Sequence, residues 1–365
     1  DGLKVDGTLY GIGTANVSVT KNGTINLMMA IRSDMLKKYN LQMPATLDEF
    51  TAMLTQIKSK DSNVIPLSVS SNLDAPGIAG AFGIPNAWNE KDGKLVHKIT
   101  DPVYKEYLLY MKELYQKNLL DSEMPTNKNA TVEEKFISGN AVVAPIAWTK
   151  MPAINTALQK NSVDAKVSFI NAPKGKDGKF GIGATVGGYD RITFIPKSAK
   201  NPEHAIAYMN MKLEDDLFKF IAIGNENEHF TVKDGDYYPI VPKFFDERGN
   251  ANNFFNGINE TEYPKYWLAR VRKDMQLYNA FNYMNIETQD QHVPNMIGNI
   301  PMLPKFAEYN QMLTQKVEDF AVKVVAGETP IEKLDSFIEE WKAKGGDEMT
   351  KELNSWYADF KSNSK

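Results

Sequence analysis

Three aromatic residues of this chain stand beside amides or carboxylates in loop-like sequence. Trp88 lies in PNAWN at 85–89, Trp148 ends an apolar run, and Tyr189 lies in GGYD at 187–190. An aromatic face stacks on the C–H face of a sugar ring, while amides and carboxylates hydrogen-bond the sugar hydroxyls. For any one of these residues, packing in a core is the simpler interpretation. Because three such aromatic residues lie at the predicted ends of helices or strands, a ligand-binding cleft is an interpretation that competes with core packing.

Signatures of catalysis are missing. The chain has no cysteine, which excludes thiol nucleophiles, Cys-ligated zinc, iron–sulfur clusters and disulfides. The glycine-rich run at 181–188, GIGATVGG, lacks the spacing of a dinucleotide site, and no GxSxG nucleophile elbow occurs. We therefore expect no catalytic residue and no cofactor. Carboxylate pairs are plentiful, so glycosidase chemistry is not formally excluded, but no motif supports it.

A metal site is not expected either. The four histidines have no metal-binding spacing; they are His97, His204, His229 and His292. The densest group of ligand types is Glu226, Glu228 and His229, but an alternating strand would point His229 away from the two acids. Residues 60–66 are too short and too poor in carboxylates for a calcium cage.

Length and charge limit the remaining classes. The 365 residues suggest two domains at about 150 residues each. The 42 basic against 46 acidic residues give a net charge of -4, and no long basic run is present, so a nucleic-acid surface is not expected.

Local signals predict alternating helices and strands. TLDE at 46–49 is a capping box, followed by an apolar stripe of helical period, and this predicts a helix over 46–59. The same capping pattern recurs at Thr131 and Thr329, and Gly139 is expected to end a helix. Apolar runs predict strands at 3–12, 25–31, 64–69, 141–148, 167–170 and 191–195. This alternation predicts an α/β architecture with mostly parallel pairing.

The order of several short motifs resembles the family 1 extracellular solute-binding proteins of bacterial ABC importers. The relevant stretches are VDGTLYGI at 5–12, MAIRSDML at 29–36, PATLDEF at 44–50, FISGNA at 136–141 and IGNENEHF at 223–230. They are similar, in collinear order over nearly the whole chain, to motifs of the larger lipoprotein subgroup that includes oligo-alginate binders. Each piece is short, and the shared order makes the resemblance specific.

The resemblance implies a periplasmic-binding-protein-like fold of type II, with two α/β lobes of mixed sheets flanked by helices and joined by a hinge. Residues 20–171 and 286–365 would form the C-terminal lobe. Residues 1–19 and 172–285 would form the remainder of the N-terminal lobe. In such proteins a long segment precedes the strand found here at residue 5, so we expect the first lobe to be incomplete.

The resemblance also implies ligand-binding residues. Trp148 aligns with a ligand-stacking tryptophan of maltodextrin-binding relatives, and Asn72 and Asp74 fall where those relatives place polar sugar contacts. Tyr309 lies near a second stacking position, and Tyr189 would line the cleft from the other lobe. Trp88 is added as a looser candidate, because its loop varies in length within the family.

The function implied by the resemblance is that of a non-enzymatic receptor that delivers an oligosaccharide or related polar solute to the transmembrane subunits of an ABC permease. We expect a monomer at the surface of a Gram-positive-type bacterium, or in a periplasm, that meets the membrane only through an N-terminal lipid anchor. The alternative is a secreted carbohydrate-active enzyme or surface protein on a similar scaffold.

Overall fold

The computed structural model describes residues 3–5, 7–16, 18–163 and 165–363. Asp6, part of the first motif above, lies outside them. The strands are β1 (Lys4–Val5), β2 (Thr8–Leu9), β3 (Ile12–Ala15), β4 (Leu27–Arg32), β5 (Ile65–Leu67), β6 (Trp88–Lys91), β7 (Lys94–His97), β8 (Ala141–Ala147), β9 (Val167–Phe169), β10 (Ile182–Thr185), β11 (Tyr189–Thr193), β12 (Phe230–Lys233), β13 (Asp236–Pro239) and β14 (His292–Asn295). The helices are α1 (Ser33–Tyr39), α2 (Leu47–Lys60), α3 (Ile78–Ala81), α4 (Val103–Gln116), α5 (Asn129–Ser138), α6 (Met151–Asn161), α7 (Pro202–Met211), α8 (Asp215–Ile223), α9 (Lys243–Arg248), α10 (Tyr263–Val271), α11 (Met275–Asn282), α12 (Pro304–Ala326), α13 (Leu334–Trp341) and α14 (Asp347–Asn363).

Contacts divide the chain into two compact units. Unit 1 comprises residues 1–24, 185–289 and 296–302, and unit 2 comprises residues 25–184, 290–295 and 303–365. The lobe boundaries expected from the sequence stay predictions. No helix formed by the described residues is long and apolar enough to span a membrane.

Unit 2 is built on a four-stranded sheet in the order β5-β8-β4-β9. The central strand β8 is buried along residues 141–146, as expected for a strand covered on both faces. The expectation of mostly parallel pairing is wrong, because only β5 and β8 are parallel, whereas β4 is antiparallel to both β8 and β9. Alternation of helices and strands along the chain does not by itself fix strand direction, and mixed sheets are common in large α/β folds.

Helix starts in unit 2 follow the sequence signals in part. At α2 the capping box is present, with the Thr46 hydroxyl accepting the Glu49 N–H. At α5 the helix begins at Asn129, so Thr131 lies inside it rather than at its start. Near Thr329 the chain first forms a 3-10 turn at Ile331–Lys333 before α13. Gly139 ends α5 with a φ of 81°, as expected for a glycine stop.

Unit 1 contains the antiparallel pairs β3–β11 and β12–β13 and helices α7–α11. Its core is largely aromatic, and its main buried rings are Phe218, Phe230, Phe244, Phe255, Tyr263 and Tyr266. Several of these rings meet edge to face, such as Phe255 and Tyr263 with centroids 5.1 Å apart, the arrangement that ring quadrupoles favour.

A buried arginine joins two helix ends in unit 1. The Nη1 atom of Arg270, in α10, donates to the carbonyl oxygens of Ala222 and Arg248, both at 2.9 Å. The Nη2 atom donates to the carbonyl of Gly249 at 3.3 Å and to Asn252 Oδ1 at 3.1 Å. These carbonyls belong to the C-terminal ends of α8 and α9, where backbone acceptors lack helical partners and the helix dipole is negative. One guanidinium therefore caps two helices.

Candidate ligand-binding site

One edge of the unit-2 sheet carries three of the predicted ligand residues. Strands β5 and β8 are parallel neighbours, with Leu67 opposite Val143, so both strands end at the same edge. Asn72 and Asp74 lie in the loop after β5, and Trp148 directly follows β8. The carboxyl ends of neighbouring parallel strands are the usual place for ligands in open α/β sheets.

Trp148 is presented by a short, held connection. Its backbone N–H donates to the carbonyl of Asn26 at 3.1 Å, and Asn26 immediately precedes β4. Residues Trp148–Lys150 form a 3-10 turn that leads into α6, which has a proline in its first turn. The side chain of Trp148 is partly exposed. The backbone that carries the indole is therefore held in place by β8, which it directly follows, and by the hydrogen bond next to β4.

Asn72 shapes the loop after β5. Its Oδ1 accepts hydrogen bonds from the Ser70 hydroxyl at 2.7 Å and from the Asp74 backbone N–H at 3.1 Å, which is an Asx-type turn. Leu73 between them has a φ of 57°. This left-handed conformation is uncommon for a leucine, and strained backbone of this kind is typical of functional sites. Asn72 is exposed, and its amide N–H groups donate to none of the described residues.

A buried network holds this loop from beneath. The carboxylate of Asp121 accepts from the Ser68 hydroxyl at 2.7 Å, from Asn127 Nδ2 at 2.8 Å and from Lys135 Nζ at 2.7 Å. The Asn127 carbonyl accepts the Ser71 N–H at 3.0 Å. We call Ser68, Asp121, Asn127 and Lys135 the anchor. The sequence analysis missed it, since only the fold brings β5, the segment after α4, and α5 together.

Because the anchor contains the charged carboxylate of Asp121, we expect its contribution to the free energy of unfolding to depend on pH. Burial raises the pKa of Asp121, but hydrogen bonds from Lys135 and Ser68 outweigh it and leave the pKa below its ordinary value. Its stabilisation is therefore present above an unfolded carboxyl pKa of about 4 and is lost as pH falls through the lower folded value. We expect Asp121→Asn to lower the free energy of unfolding by about 2–3 kcal/mol near neutral pH. Urea titrations at about pH 7 and about pH 2 measure this, and the difference in unfolding free energy between the two proteins should narrow at the lower pH. An equal gap at both pH values would contradict an electrostatic origin.

Asp74 lies in the loop after β5 and is exposed. Desolvation by the surrounding protein nevertheless raises the pKa of its carboxyl group, an effect that the Lys98 ammonium opposes and the Glu318 carboxylate reinforces. Lys98 follows β7 and Glu318 lies in α12. The sequence analysis did not select Lys98 or Glu318, and no local motif marks them.

Tyr189 belongs to unit 1. It lies on β11 opposite Ala15 of β3, and 43% of it is exposed. Its ring lies against Gly13, where a Cβ atom would collide with it. One ring face is therefore supported by a bare backbone, and the exposed part of the ring remains available for stacking.

Trp88 and Tyr309 lie in other surroundings. Trp88 is 1% exposed and pairs with His97 across the β6–β7 hairpin, its ring centroid 4.9 Å from that of His97. The polar flanks of Trp88 suggested exposure, but the hairpin turns its indole inward, so it offers no free face to a solute. Tyr309 is partly buried, with its ring over Gly345 and the Lys305 Nζ atom 5.3 Å from the ring centroid.

The acid and histidine group of unit 1 is satisfied by its neighbours. His229 is buried; its Nδ1 accepts the Asn225 N–H at 3.1 Å, which leaves Nε2 to donate to Glu247 at 2.9 Å. Glu228 pairs with Lys243 at 2.6 Å. Within the described ranges, no group of three or more histidine, cysteine, aspartate or glutamate side chains is arranged to hold a metal ion.

The family model for bacterial extracellular solute-binding proteins matches residues 3–216, more than half of the chain. The chain belongs to this family. Its members are binding proteins of ABC transporters, so this solute-binding protein is not an enzyme, and the alternative of a carbohydrate-active enzyme is not carried further. The family is extracellular, which places the protein outside the cytoplasm.

Known relatives of this solute-binding protein include a Niallia circulans chain named "Uncharacterized protein in butB 5'region", 38% identical over 70% of this chain and 100% of the relative. The polygalacturonan/rhamnogalacturonan-binding protein YtcQ of Bacillus subtilis is 22% identical over 98% of this chain and 72% of its own length. Among solved structures, the Streptococcus pneumoniae substrate-binding protein FusA in complex with kestose has a TM-score of 0.71 at 16% identity, over 99% of this chain and 78% of FusA. The last comparison concerns the fold alone and confirms the predicted periplasmic-binding-protein-like class.

Proposed function

We propose that this protein is the receptor of an ABC importer and binds an oligosaccharide at the sheet edge of unit 2. The observation that carries the proposal is that Trp148 and the loop of Asn72 and Asp74 extend from the ends of two neighbouring parallel strands. An indole face, amide donors and a carboxylate acceptor on adjoining loops are the set of groups that a sugar ring requires.

The relatives support a carbohydrate as the solute. YtcQ is named for binding polygalacturonan and rhamnogalacturonan, and FusA is solved with kestose. The polygalacturonan and rhamnogalacturonan ligands are acidic, whereas kestose is neutral. The relatives therefore support a carbohydrate ligand but do not indicate which carbohydrate it is.

In this proposal Tyr189, in unit 1, is a further aromatic residue that stacks on the sugar. The family resemblance implies a hinge that closes two lobes on the solute, which is the general mode of such receptors. The exposed ring of Tyr189 on its glycine support is suited to stacking.

We also propose the setting of the protein. It would be held at the cell surface of a Gram-positive-type bacterium by a lipid anchor, act as a monomer and pass its solute to the transmembrane subunits of the permease. A relative named "Lipoprotein LipO" from Bacillus subtilis, 23% identical over 98% of this chain, supports the anchor.

The test is calorimetric titration of the chain with a panel of neutral and acidic trisaccharides. We expect saturable binding of at least one sugar, and chromatography of the recovered ligand should show it intact. If no sugar of the panel binds, the proposal is wrong; recovery of cleaved sugar would contradict a receptor role.

A further inference from the structure

A groove on unit 2 lies apart from the residues that we propose to hold the sugar. Its volume is about 730 Å³, which is within the range of pockets that bind small molecules. It is lined by the start of α2, the end of α3, one face of α4 and the loop 174–179. Its lining does not include Trp148, Asn72 or Asp74. We call it the α2–α4 groove.

The loop that forms one wall of the α2–α4 groove is fixed to the helices beside it. The Lys174 carbonyl accepts the Leu47 N–H at 2.9 Å, and the Lys174 N–H donates to the Ala45 carbonyl at 2.9 Å. Gly175 lies so close to the Ala81 carbonyl that a Cβ atom on it would collide with that oxygen. Because the loop is joined to the start of α2 and packed on α3, little ordering is required when a ligand binds.

The floor of the α2–α4 groove is aromatic. The rings of Phe82 and Tyr110 are both partly exposed, and their centroids are 5.8 Å apart. The Tyr110 hydroxyl is hydrogen-bonded to the Thr51 hydroxyl at 2.9 Å, and Leu109 of α4 is 42% exposed. The floor therefore presents apolar surface that an aliphatic side chain of a ligand can cover.

Charged side chains of opposite sign line the groove. The helices contribute carboxylates and the loop contributes ammonium groups, namely Asp48, Glu106 and Glu113 against Lys174, Lys176 and Lys179. Among the described residues, no ion pair joins a carboxylate of this set to an ammonium of it; Glu113 pairs with Lys117, and Lys179 lies 3.7 Å from Asp177. The side chain of Asp48 has no ion pair or hydrogen bond with any residue that the structure describes, and the same holds for Lys176. Both signs of charge are therefore available to a ligand.

The two kinds of charge lie beside different rings of the floor. Burial raises the pKa of the Tyr110 hydroxyl, and the nearby carboxylates of Glu113 and Asp48 raise it further. The side chain of Lys179 passes over the glycine that follows Phe82, where a Cβ atom would come within 2.8 Å of the lysine Cδ atom. A negative region therefore lies at Tyr110, and an ammonium group lies beside Phe82.

We propose that the α2–α4 groove binds short apolar peptides with free termini. Such a peptide carries an ammonium group at one end, a carboxylate at the other and apolar side chains between them, which matches the charges and the floor of the groove. Four extended residues span about 13 Å, and the stretch of α4 that lines the groove, residues 103–113, is about 15 Å long. A neutral sugar would leave both sets of charges without an ionic partner, and a uronate would match the lysines alone.

The experiment is calorimetric titration of the whole chain with the tetrapeptide Ala-Leu-Leu-Ala. We expect saturable binding of the peptide with free termini. The same peptide, acetylated at its amino end and amidated at its carboxyl end, should bind at least about tenfold more weakly, because it lacks both terminal charges. Ala-Ser-Ser-Ala with free termini should also bind about tenfold more weakly, because its side chains cannot cover the aromatic floor.

Two variants test the walls of the groove. Asp48→Asn and Lys176→Gln should each weaken binding of Ala-Leu-Leu-Ala by about three- to tenfold, since each removes one charge that faces a peptide terminus. The matched control is Lys105→Gln, because Lys105 is exposed on α4 and does not line the groove; it should leave the affinity unchanged. Thermal unfolding of each variant shows whether it is folded.

The inference is overturned if Ala-Leu-Leu-Ala does not bind at millimolar concentration, or if the blocked peptide binds equally well. It is also overturned if Lys105→Gln weakens binding as much as Lys176→Gln, or if neither groove variant alters it. None of these results bears on the sugar site, since the two sites share no lining residue. Failure of the sugar panel would in turn overturn the proposed function and leave this inference standing.

Discussion

Replacement of Trp148 by alanine is expected to weaken oligosaccharide binding about 100-fold, or ~3 kcal/mol. The indole is partly exposed at the end of β8, beside the loop of Asn72 and Asp74. Truncation removes the aromatic face and lets water reach the polar groups, so their hydrogen bonds to sugar lose value. Calorimetric titration of a sugar that binds the unaltered chain measures the effect.

The matched control is Trp356→Ala. Trp356 is also partly exposed, but it stacks on Phe360 of α14, with ring centroids 5.3 Å apart. We expect this variant to retain the affinity of the unaltered chain. Equal losses in the two variants would show that tryptophan truncation acts through general destabilisation, and unchanged binding in Trp148→Ala would remove Trp148 from the site.

Arg270→Met is expected to lower the free energy of unfolding of unit 1 by about 3–5 kcal/mol. Arg270 is 4% exposed, and its loss would leave the carbonyls at the ends of α8 and α9 buried without their donor. Burial lowers the pKa of Arg270, but an arginine remains charged at all ordinary pH values. Denaturant unfolding followed by near-ultraviolet circular dichroism, which reports on the packed aromatic side chains of both units, measures the loss.

Lys265→Met provides the comparison for Arg270. Lys265 lies on the same helix, but its ammonium is exposed and, among the described residues, pairs only with Glu262 at 3.3 Å. A surface pair of this kind contributes about 0.2–1 kcal/mol at most. A loss in Arg270→Met no larger than that in Lys265→Met would show that the two helix ends do not depend on the guanidinium.

Local signals predicted the elements whose causes are local. Helix α2 matches the expected range closely, because a capping box and an apolar stripe lie within a few turns of the helix start. The same Thr-x-x-Glu pattern at Thr131 failed. There the helix starts two residues earlier, just after Asn127, whose side chain and carbonyl are hydrogen-bonded to the loop after β5. A tertiary contact fixed that boundary, and strand direction in the sheet is likewise decided by the fold.

The candidate site shows the same division. Trp148, Asn72 and Asp74 were selected because they match ligand positions implied by the resemblance, and each follows a predicted strand; their role in binding stays a prediction. Trp88 has similar polar neighbours in sequence but is buried, and flanking polarity alone does not distinguish the two cases. Lys98 and Glu318 lie 24 and 244 residues from Asp74, and only the packing of α4 and α12 brings them near it.

The anchor has a consequence for evolution and for engineering. Its four side chains are buried or nearly so, and they support the loop after β5 without including positions 71 or 74. Mutations at those two positions therefore change what the loop presents while its foundation is retained. A library randomised at these positions and screened for new sugar sensors should yield a large folded fraction, because recognition and foldedness are encoded by separate residues.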